Sequence, residues 1–128
     1  MMRFDHAGIA TADADELATQ YVELFGCERV HEETFNEMRV VFLDLGNGYF
    51  ELLEPLGDGP IARYLDEHGA GIHHLALETD DIAAALTRAR EMGIDLVDER
   101  PRPGAWGHDV AFMHPRSTGG VLLEFVET

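Results

Sequence analysis

The sequence contains no lysine, a single cysteine and no long hydrophobic run. One cysteine, Cys27, excludes a disulfide within the chain, and we expect it to be a small buried apolar side chain. No apolar stretch approaches the roughly 18–20 residues that a membrane-spanning helix needs. Residues 1–8 also lack the apolar core of a secretion signal. These absences predict a cytoplasmic protein with no membrane segment.

Positive charge is scarce as well. The chain has nine basic residues, all of them arginine, against 25 acidic residues. The resulting formal net charge of −16 repels nucleic acids and anionic lipids, so we expect neither as a partner. The acidity fits either a cation-binding face or a solvated surface suited to a salty cytoplasm. We favour the second interpretation, because salt screens repulsion between acidic side chains. It predicts a halophilic protein that loses stability in dilute buffer.

The chain contains an internal repeat with a period of about 68 residues. Residues 4–13, FDHAGIATAD, and residues 71–81, GIHHLALETDD, each place a histidine near the start of an apolar run. Each run ends at an aspartate that can begin a helix: Asp13 or Asp15 in the first copy, Asp80 or Asp81 in the second. The alternating pattern predicts a strand before each helix.

Three further strands are predicted after each helix. In the first copy the helix ends at Phe25, and we expect Leu17, Tyr21, Leu24 and Phe25 to share its packing face. The strands that follow are predicted at residues 27–33, 39–45 and 49–55 in the first copy and at 94–99, 109–114 and 121–127 in the second. Asn47-Gly48 between two alternating runs is a strong hairpin signal.

Each copy is therefore predicted to be a βαβββ module, which makes the fold class α+β. We expect one domain built of a module at 1–56, a connecting helix at 57–70 with Pro60 in its first turn, and a module at 71–128. A lone module leaves one sheet face uncovered. The two modules should therefore close on each other in tandem, giving a curved, partly closed mixed sheet with the helices outside.

Strand alternation turns four polar side chains toward the sheet face opposite the helices, one histidine and one glutamate from each copy. They are His6 and Glu51 in the first copy and His74 and Glu124 in the second. Any one of them alone is more often an ordinary exposed polar residue. Their matched origin favours a divalent metal held by nitrogen and oxygen ligands. His73, Glu54 and Glu127 are neighbouring, less favoured ligand candidates.

The repeat resembles the vicinal oxygen chelate superfamily, whose paired βαβββ modules bind a divalent metal through two histidines and two Glu or Gln residues. Within it, ELLEPLGDGPIARYL, GIHHLALETDDI and RPGAWGHDVAFMHPRSTGGVLLEF are similar to the methylmalonyl-CoA epimerase family over essentially the whole chain. The resemblance assigns the metal ligands to His6, Glu51, His74 and Glu124. The metal is expected to be Co, Mn, Ni or Zn.

The resemblance implies that (R)- and (S)-methylmalonyl-CoA are interconverted by proton transfer at C2 through an enolate that the metal stabilises. Inversion needs proton donors on both faces of a planar intermediate. Glu124 is our first choice for one catalytic base, Glu51 for the other, and Glu78 is a weaker candidate. The sequence departs from the family near Val41, where one type of relative carries a glutamate base on the third strand.

Arginines concentrate in one loop-rich stretch, where they are either a phosphate clamp for an acyl-CoA substrate or neutralise neighbouring acids. This stretch supplies the predicted substrate-binding residues Arg100, Arg102, Arg116, Ser117, Gly119 and Gly120. Trp106 either covers the cavity or only packs its loop. The family also implies a homodimer.

Three other functions use the same fold. A glyoxalase I-type isomerase acting on a glutathione adduct would use the same four ligands. A small-molecule binding protein without metal would need none of them. A ring-cleaving dioxygenase needs only two histidines and one carboxylate around iron, so the fourth ligand counts against it.

Overall fold

The structure is a computed structural model that describes all 128 residues. It contains three α-helices and eight strands, so the predicted α+β fold class is confirmed. The helices are α1 (Ala14–Phe25), α2 (Pro60–His68) and α3 (Ile82–Glu91). The strands are β1 (Arg3–Ala10), β2 (Glu28–Phe35), β3 (Met38–Asp44), β4 (Tyr49–Pro55), β5 (Gly71–Glu78), β6 (Arg102–Pro103), β7 (Asp109–Met113) and β8 (Leu123–Glu127). No helix has both the length and the apolar composition that a membrane crossing requires.

The chain divides into two compact units. The N-terminal unit is residues His6–His73, and the C-terminal unit is His74–Thr128 together with Met1–Asp5. Each contains a mixed sheet whose first and last strands in chain order pair in parallel. In the N-terminal unit these are β1 and β4, and β3 pairs antiparallel with both β4 and β2. In the C-terminal unit they are β5 and β8, and β7 pairs antiparallel with both β8 and β6.

Both long helices begin with the same set of hydrogen bonds. Asp13 accepts from the Glu16 amide at 3.0 Å, and Asp81 accepts from the Ala84 amide at 3.0 Å, which settles the choice of capping residue in each copy. A threonine two residues earlier accepts from each aspartate amide at 3.2 Å. The two helix starts are therefore built in the same way, as the repeat predicts.

Each unit packs its helix against one face of its own sheet. In the N-terminal unit Ala14 and Ala18 of α1 contact a core that includes Val41, Leu43 and Leu52. In the C-terminal unit α3 contributes to a core of its own. Ile82, Leu86 and Ala89 of that helix are all buried there.

The predicted packing face of α1 is wrong at Leu24. Its side chain is exposed, because residue 24 lies about 120° around the helix from Ala18, which faces the sheet. Phe25 is also exposed, although its ring still contacts Tyr21 and Phe50 at centroid distances of 5.3 and 6.2 Å. Leu17 and Tyr21 pack against the core as expected.

The strand predicted at 94–99 is absent as a regular strand. A single bridge joins Leu96 to Met113, and the strand next to β7 is the two-residue β6. The reason lies at Asp98, whose carboxylate accepts the Phe112 amide at 2.9 Å where a strand carbonyl would otherwise do so. The Val97 amide still donates to the Phe112 carbonyl at 2.9 Å, so the segment follows β7 without continuing as a ladder.

Candidate metal centre

A buried histidine and a buried glutamate meet in the N-terminal unit. His6 lies on β1 and Glu51 on β4, and the two strands are parallel with Gly8 opposite Glu51. The Nε2 atom of His6 is 3.2 Å from Oε1 of Glu51. The ring of His6 packs against the ring of Phe42 in an edge-to-face contact. The ring centroids are 5.8 Å apart, and the angle between the ring planes is 86°. Phe42 is also the cross-strand partner of Glu51.

The same arrangement occurs in the C-terminal unit. His74 lies on β5 and Glu124 on β8, again in parallel strands, with Ala76 opposite Glu124. The Nε2 atom of His74 is 3.5 Å from Oε1 of Glu124. The ring of Phe112 packs against the ring of His74, with centroids 5.3 Å apart and an angle of 83° between the ring planes. Phe112 is also the cross-strand partner of Glu124.

The two pairs match in register as well as in residue type. In both units the glutamate lies opposite the residue two positions beyond the histidine, on a parallel neighbouring strand. In both units a phenylalanine stands across the antiparallel pair from the glutamate. The histidine and glutamate that the repeat predicts are thus brought together inside each unit.

All four side chains are buried, with only 3–7 % of each residue exposed. Their strand neighbours Leu52 and Phe125 face the helix-side cores, which confirms the predicted strand parity. A carboxylate removed from water is costly unless a cation or several hydrogen-bond donors compensate it. Imidazole and carboxylate are the donor groups that first-row divalent metals accept, so this donor set fits such an ion.

The less favoured ligand candidates have structural roles. Glu54 accepts the Ala14 amide at 2.8 Å, and Glu127 accepts the Ile82 amide at 2.8 Å, so each holds the first residue of its helix. His73 contacts the ring of Tyr64, with centroids 5.1 Å apart. The two glutamates are used alike in the two units, which is further evidence of the repeat.

Two further positions bear on proton transfer: Glu78, a weaker candidate for a base, and Val41, where a relative carries a glutamate base. Glu78 accepts from Arg3 Nε at 3.1 Å and from the Thr128 hydroxyl at 3.1 Å, and this contact raises the pKa of Arg3. Val41 packs in the helix-side core, on the opposite sheet face from Glu51. The β3 residues that flank Val41 are Val40 and Phe42, and neither of these side chains can carry a proton either.

Two of the predicted anion-binding arginines have carboxylate partners. Arg102 donates from Nε to Asp98 at 3.0 Å, and Arg116 donates from Nε to Asp95 at 2.8 Å. The contact with Arg116 lowers the pKa of Asp95. Both contacts fit the neutralising alternative, and the phosphate clamp stays a prediction for Arg100, Arg102 and Arg116.

The turn around these residues is held by one side-chain and one backbone hydrogen bond. The Ser117 hydroxyl accepts the Asp95 amide at 3.0 Å, and the Gly120 amide donates to the Pro115 carbonyl at 2.9 Å. Gly119 has a φ of 74°, a left-handed conformation that favours glycine. Trp106 stacks on His108 of the same loop, with ring centroids 5.6 Å apart. This contact fits the prediction that Trp106 packs its own loop. Anion binding by Ser117, Gly119 and Gly120 stays a prediction.

Phe42 and Phe112 were not predicted from the sequence as neighbours of the candidate ligands. A signal was present, because the matched runs RVVFL at 39–43 and DVAFM at 109–113 both carry phenylalanine at the fourth position. Asp98 had no such signal, since no equivalent carboxylate stands in the first copy.

Comparison with known proteins places the chain in a family. Residues 5–112 match the model of the glyoxalase/bleomycin resistance protein/dioxygenase superfamily. The chain is 39 % identical over 127 residues to the ethylmalonyl-CoA/methylmalonyl-CoA epimerase of Cereibacter sphaeroides, covering 95 % of both chains. It is 39 % identical over 126 residues to the mitochondrial methylmalonyl-CoA epimerase of Homo sapiens, covering 95 % of this chain and 72 % of the human one.

Solved structures agree with these relatives. The methylmalonyl-CoA epimerase of Mycobacterium tuberculosis superposes with a TM-score of 0.93 at 37 % identity, covering 98 % of this chain and 87 % of that one. A methylmalonyl-CoA epimerase in complex with methylmalonyl-CoA and NH4+ also gives a TM-score of 0.93, at 34 % identity, covering 100 % and 95 %. The chain therefore belongs to the glyoxalase/bleomycin resistance protein/dioxygenase superfamily and, within it, to the methylmalonyl-CoA epimerase family of enzymes.

Proposed function

We propose that the protein is a metal-dependent epimerase that interconverts (R)- and (S)-methylmalonyl-CoA. The observation that carries the proposal is the buried histidine–glutamate pair that recurs, in the same register, in both units. The names of the relatives supply the substrate, since proteins 39 % identical to this chain are called methylmalonyl-CoA epimerases.

The proposed ligands of a divalent ion are His6, Glu51, His74 and Glu124. Two neutral imidazoles and two carboxylates balance the charge of one divalent cation, which removes the cost of burying the two acids. Co, Mn, Ni and Zn all suit this donor set. When bound, such an ion would stabilise the negative charge that develops on the substrate oxygens when the C2 proton leaves.

The proposed proton carriers are Glu124 and Glu51. Each carboxylate has two oxygens, so one oxygen can bind the cation while the other accepts or returns the C2 proton. Inversion requires one proton carrier on each face of the reacting carbon, and each unit supplies one glutamate. Phe42 and Phe112 pack against the histidines of the two pairs and stand across the antiparallel strands from these carboxylates.

We also propose a substrate class, an oligomeric state and a cellular location for the enzyme. An acyl-CoA substrate is supported by the related structure that contains methylmalonyl-CoA. A homodimer follows the family resemblance, and sedimentation of the purified protein would measure it. A cytoplasmic location stays a prediction from the sequence.

The test is deuterium incorporation at C2 of methylmalonyl-CoA in deuterated buffer at high salt, with added Co²⁺ or with a chelator. We expect rapid uptake with loss of optical purity when Co²⁺ is present, and a return toward the enzyme-free rate when the metal is removed. Uptake that persists unchanged in chelator would exclude the metal-dependent mechanism. No uptake under any condition would exclude the epimerase and favour the glyoxalase I-type isomerase, whose substrate is a glutathione hemithioacetal.

A further inference from the structure

Arg102 is fixed beside the histidine–glutamate pair of the C-terminal unit. One oxygen of Asp98 accepts from Arg102 Nε at 3.0 Å, and its other oxygen accepts from the Phe112 amide at 2.9 Å. Asp98 itself is mostly buried, with 16 % of its side chain exposed. The carboxylate therefore attaches the arginine to β7 at Phe112.

The guanidinium of Arg102 lies on the face of the sheet that carries the candidate ligands. Its Cζ atom is 5.5 Å from the centre of the Phe112 ring, within the range of a cation–π contact. The same ring meets the His74 imidazole at 5.3 Å, and Phe112 stands opposite Glu124. Arg102 is thus separated from the candidate ligands by a single aromatic side chain.

Part of the guanidinium remains available for a ligand. Asp98 takes the Nε hydrogen, and no protein acceptor takes the hydrogens of the two terminal amino groups. The side chain is 44 % exposed, so those groups can reach a bound molecule. A planar guanidinium with two free amino groups is suited to a carboxylate or a phosphate.

The other unit has no equivalent permanent cation at this place. In the N-terminal unit the ring of His31 packs against the ring of Phe42, with centroids 6.1 Å apart. The Nε2 atom of His31 is 3.0 Å from Oε1 of Glu33. A histidine is charged only when protonated, whereas arginine is always charged. The two histidine–glutamate pairs match, but the positive charge beside them is present in one unit only.

We propose that Arg102 binds an anionic group of the acyl-CoA substrate and thereby sets the direction in which the substrate enters the site. This inference rests on the proposed function. The group is either the carboxylate next to C2 or a phosphate of CoA. A local cation is needed because a protein of net charge −16 otherwise repels such a substrate.

The experiment compares steady-state kinetics of the wild type, Arg102→Gln and Arg102→Lys with Co²⁺ at saturation. The substrates are methylmalonyl-CoA and methylmalonyl-pantetheine, which lacks the phosphates. We expect Arg102→Gln to raise KM about 10- to 100-fold, to change kcat far less, and to leave the Kd for Co²⁺ unchanged. Arg102→Lys should recover part of the loss, because it restores the charge without the planar fork.

The matched control is Arg90→Gln. Arg90 donates from Nε to Glu99 at 3.3 Å on α3 of the same unit, with an exposed fraction of 45 %, close to that of Arg102. We expect its kinetics to equal those of the wild type. The unchanged Kd for Co²⁺ shows that each variant is folded.

The two substrates identify the anion. An equal rise in KM for both substrates assigns Arg102 to the carboxylate, and a rise for the CoA thioester alone assigns it to a phosphate. Wild-type KM values for both substrates in Arg102→Gln would overturn the inference and leave the proposed function intact. A wild type that fails to exchange the C2 proton would overturn both.

Discussion

The most consequential single residues are the two buried glutamates, of which Glu124 is the clearest to test. Glu124→Gln keeps the volume and one acceptor oxygen but removes the negative charge and the site for a proton. We expect kcat for C2 proton exchange to fall at least about 100-fold, and the affinity for Co²⁺ to fall at least about tenfold. Deuterium exchange and calorimetric titration measure the two effects.

Glu127→Gln is the matched control for this substitution. The residue lies three positions along the same strand and accepts the Ile82 amide, a role that the glutamine oxygen retains. We expect near wild-type exchange and metal affinity. A Glu124→Gln protein with full turnover would exclude that residue as a base, and loss of metal binding in Glu127→Gln would show that β8 responds as a whole.

At the scale of the element, the duplicated helix starts give a stability prediction. Asp81→Ala removes the side-chain acceptor of the Ala84 amide, so unfolding free energy should fall by about 1 kcal/mol. Asp80→Ala is the control, because Asp80 is almost fully exposed and caps no amide. We expect its effect to stay within about 0.5 kcal/mol. Urea denaturation of both proteins makes the comparison, and equal losses would contradict the assigned cap.

A charge network joins the start of α1 to β2 and β3. Asp15 contacts Arg39 and Arg29, and Glu32 contacts the same two arginines. The hydrogen bonds from Arg39 and Arg29 lower the pKa of Asp15 from 3.8 to about 2, and Arg29 lowers the pKa of Glu32. The arginine pKa values rise in return.

This network predicts an acid-dependent contribution to stability. Because the folded pKa of Asp15 lies below the unfolded value, its contribution is complete above about pH 4 and is lost as the pH falls through about 2. The side chain is 53 % exposed, so solvent screening limits the contribution to about 1 kcal/mol at most. Urea denaturation of wild type and Asp15→Asn measures this. Their difference should be largest at pH 5 and nearly absent at pH 1.5; a constant difference would contradict the ion pairing.

The secondary-structure elements also show which features could be predicted from the sequence and which could not. Caps, the connecting helix and seven strands follow local patterns, since turn residues and alternation lie close together in the chain. The strand predicted at 94–99 does not form, because the Asp98 carboxylate accepts the Phe112 amide of β7 in place of a backbone carbonyl. The packing prediction is wrong at Leu24 because this residue lies about 120° around α1 from Ala18, which faces the sheet.

At the scale of the whole molecule, the repeat made the candidate site predictable. A histidine or glutamate alone carries little information, but the same two residue types at matched strand positions pointed to His6, Glu51, His74 and Glu124. The contacts of Arg102 with Asp98 and Phe112 were not predictable in this way. They depend on how one loop meets one strand, and the other copy offers no counterpart.

The overall charge predicts a dependence of stability on salt. With a net charge of −16, repulsion between acidic side chains destabilises the folded state when it is not screened. Raising NaCl from about 0.1 M to about 2 M should raise Tm by about 4 °C, as expected for roughly 1 kcal/mol in a chain of this length. Sucrose of equal osmolality is the control, because it leaves the repulsion unscreened. A Tm that is unchanged or lower in NaCl would contradict this expectation.

Both histidine–glutamate pairs are proposed to bind one cation, and calorimetric titration of the metal-free protein with Co²⁺ tests this most directly. The wild type should bind one ion per chain, and His6→Ala and His74→Ala should each weaken that single event at least about tenfold. Two independent binding events per chain, or a single event that only one of the two substitutions affects, would contradict it.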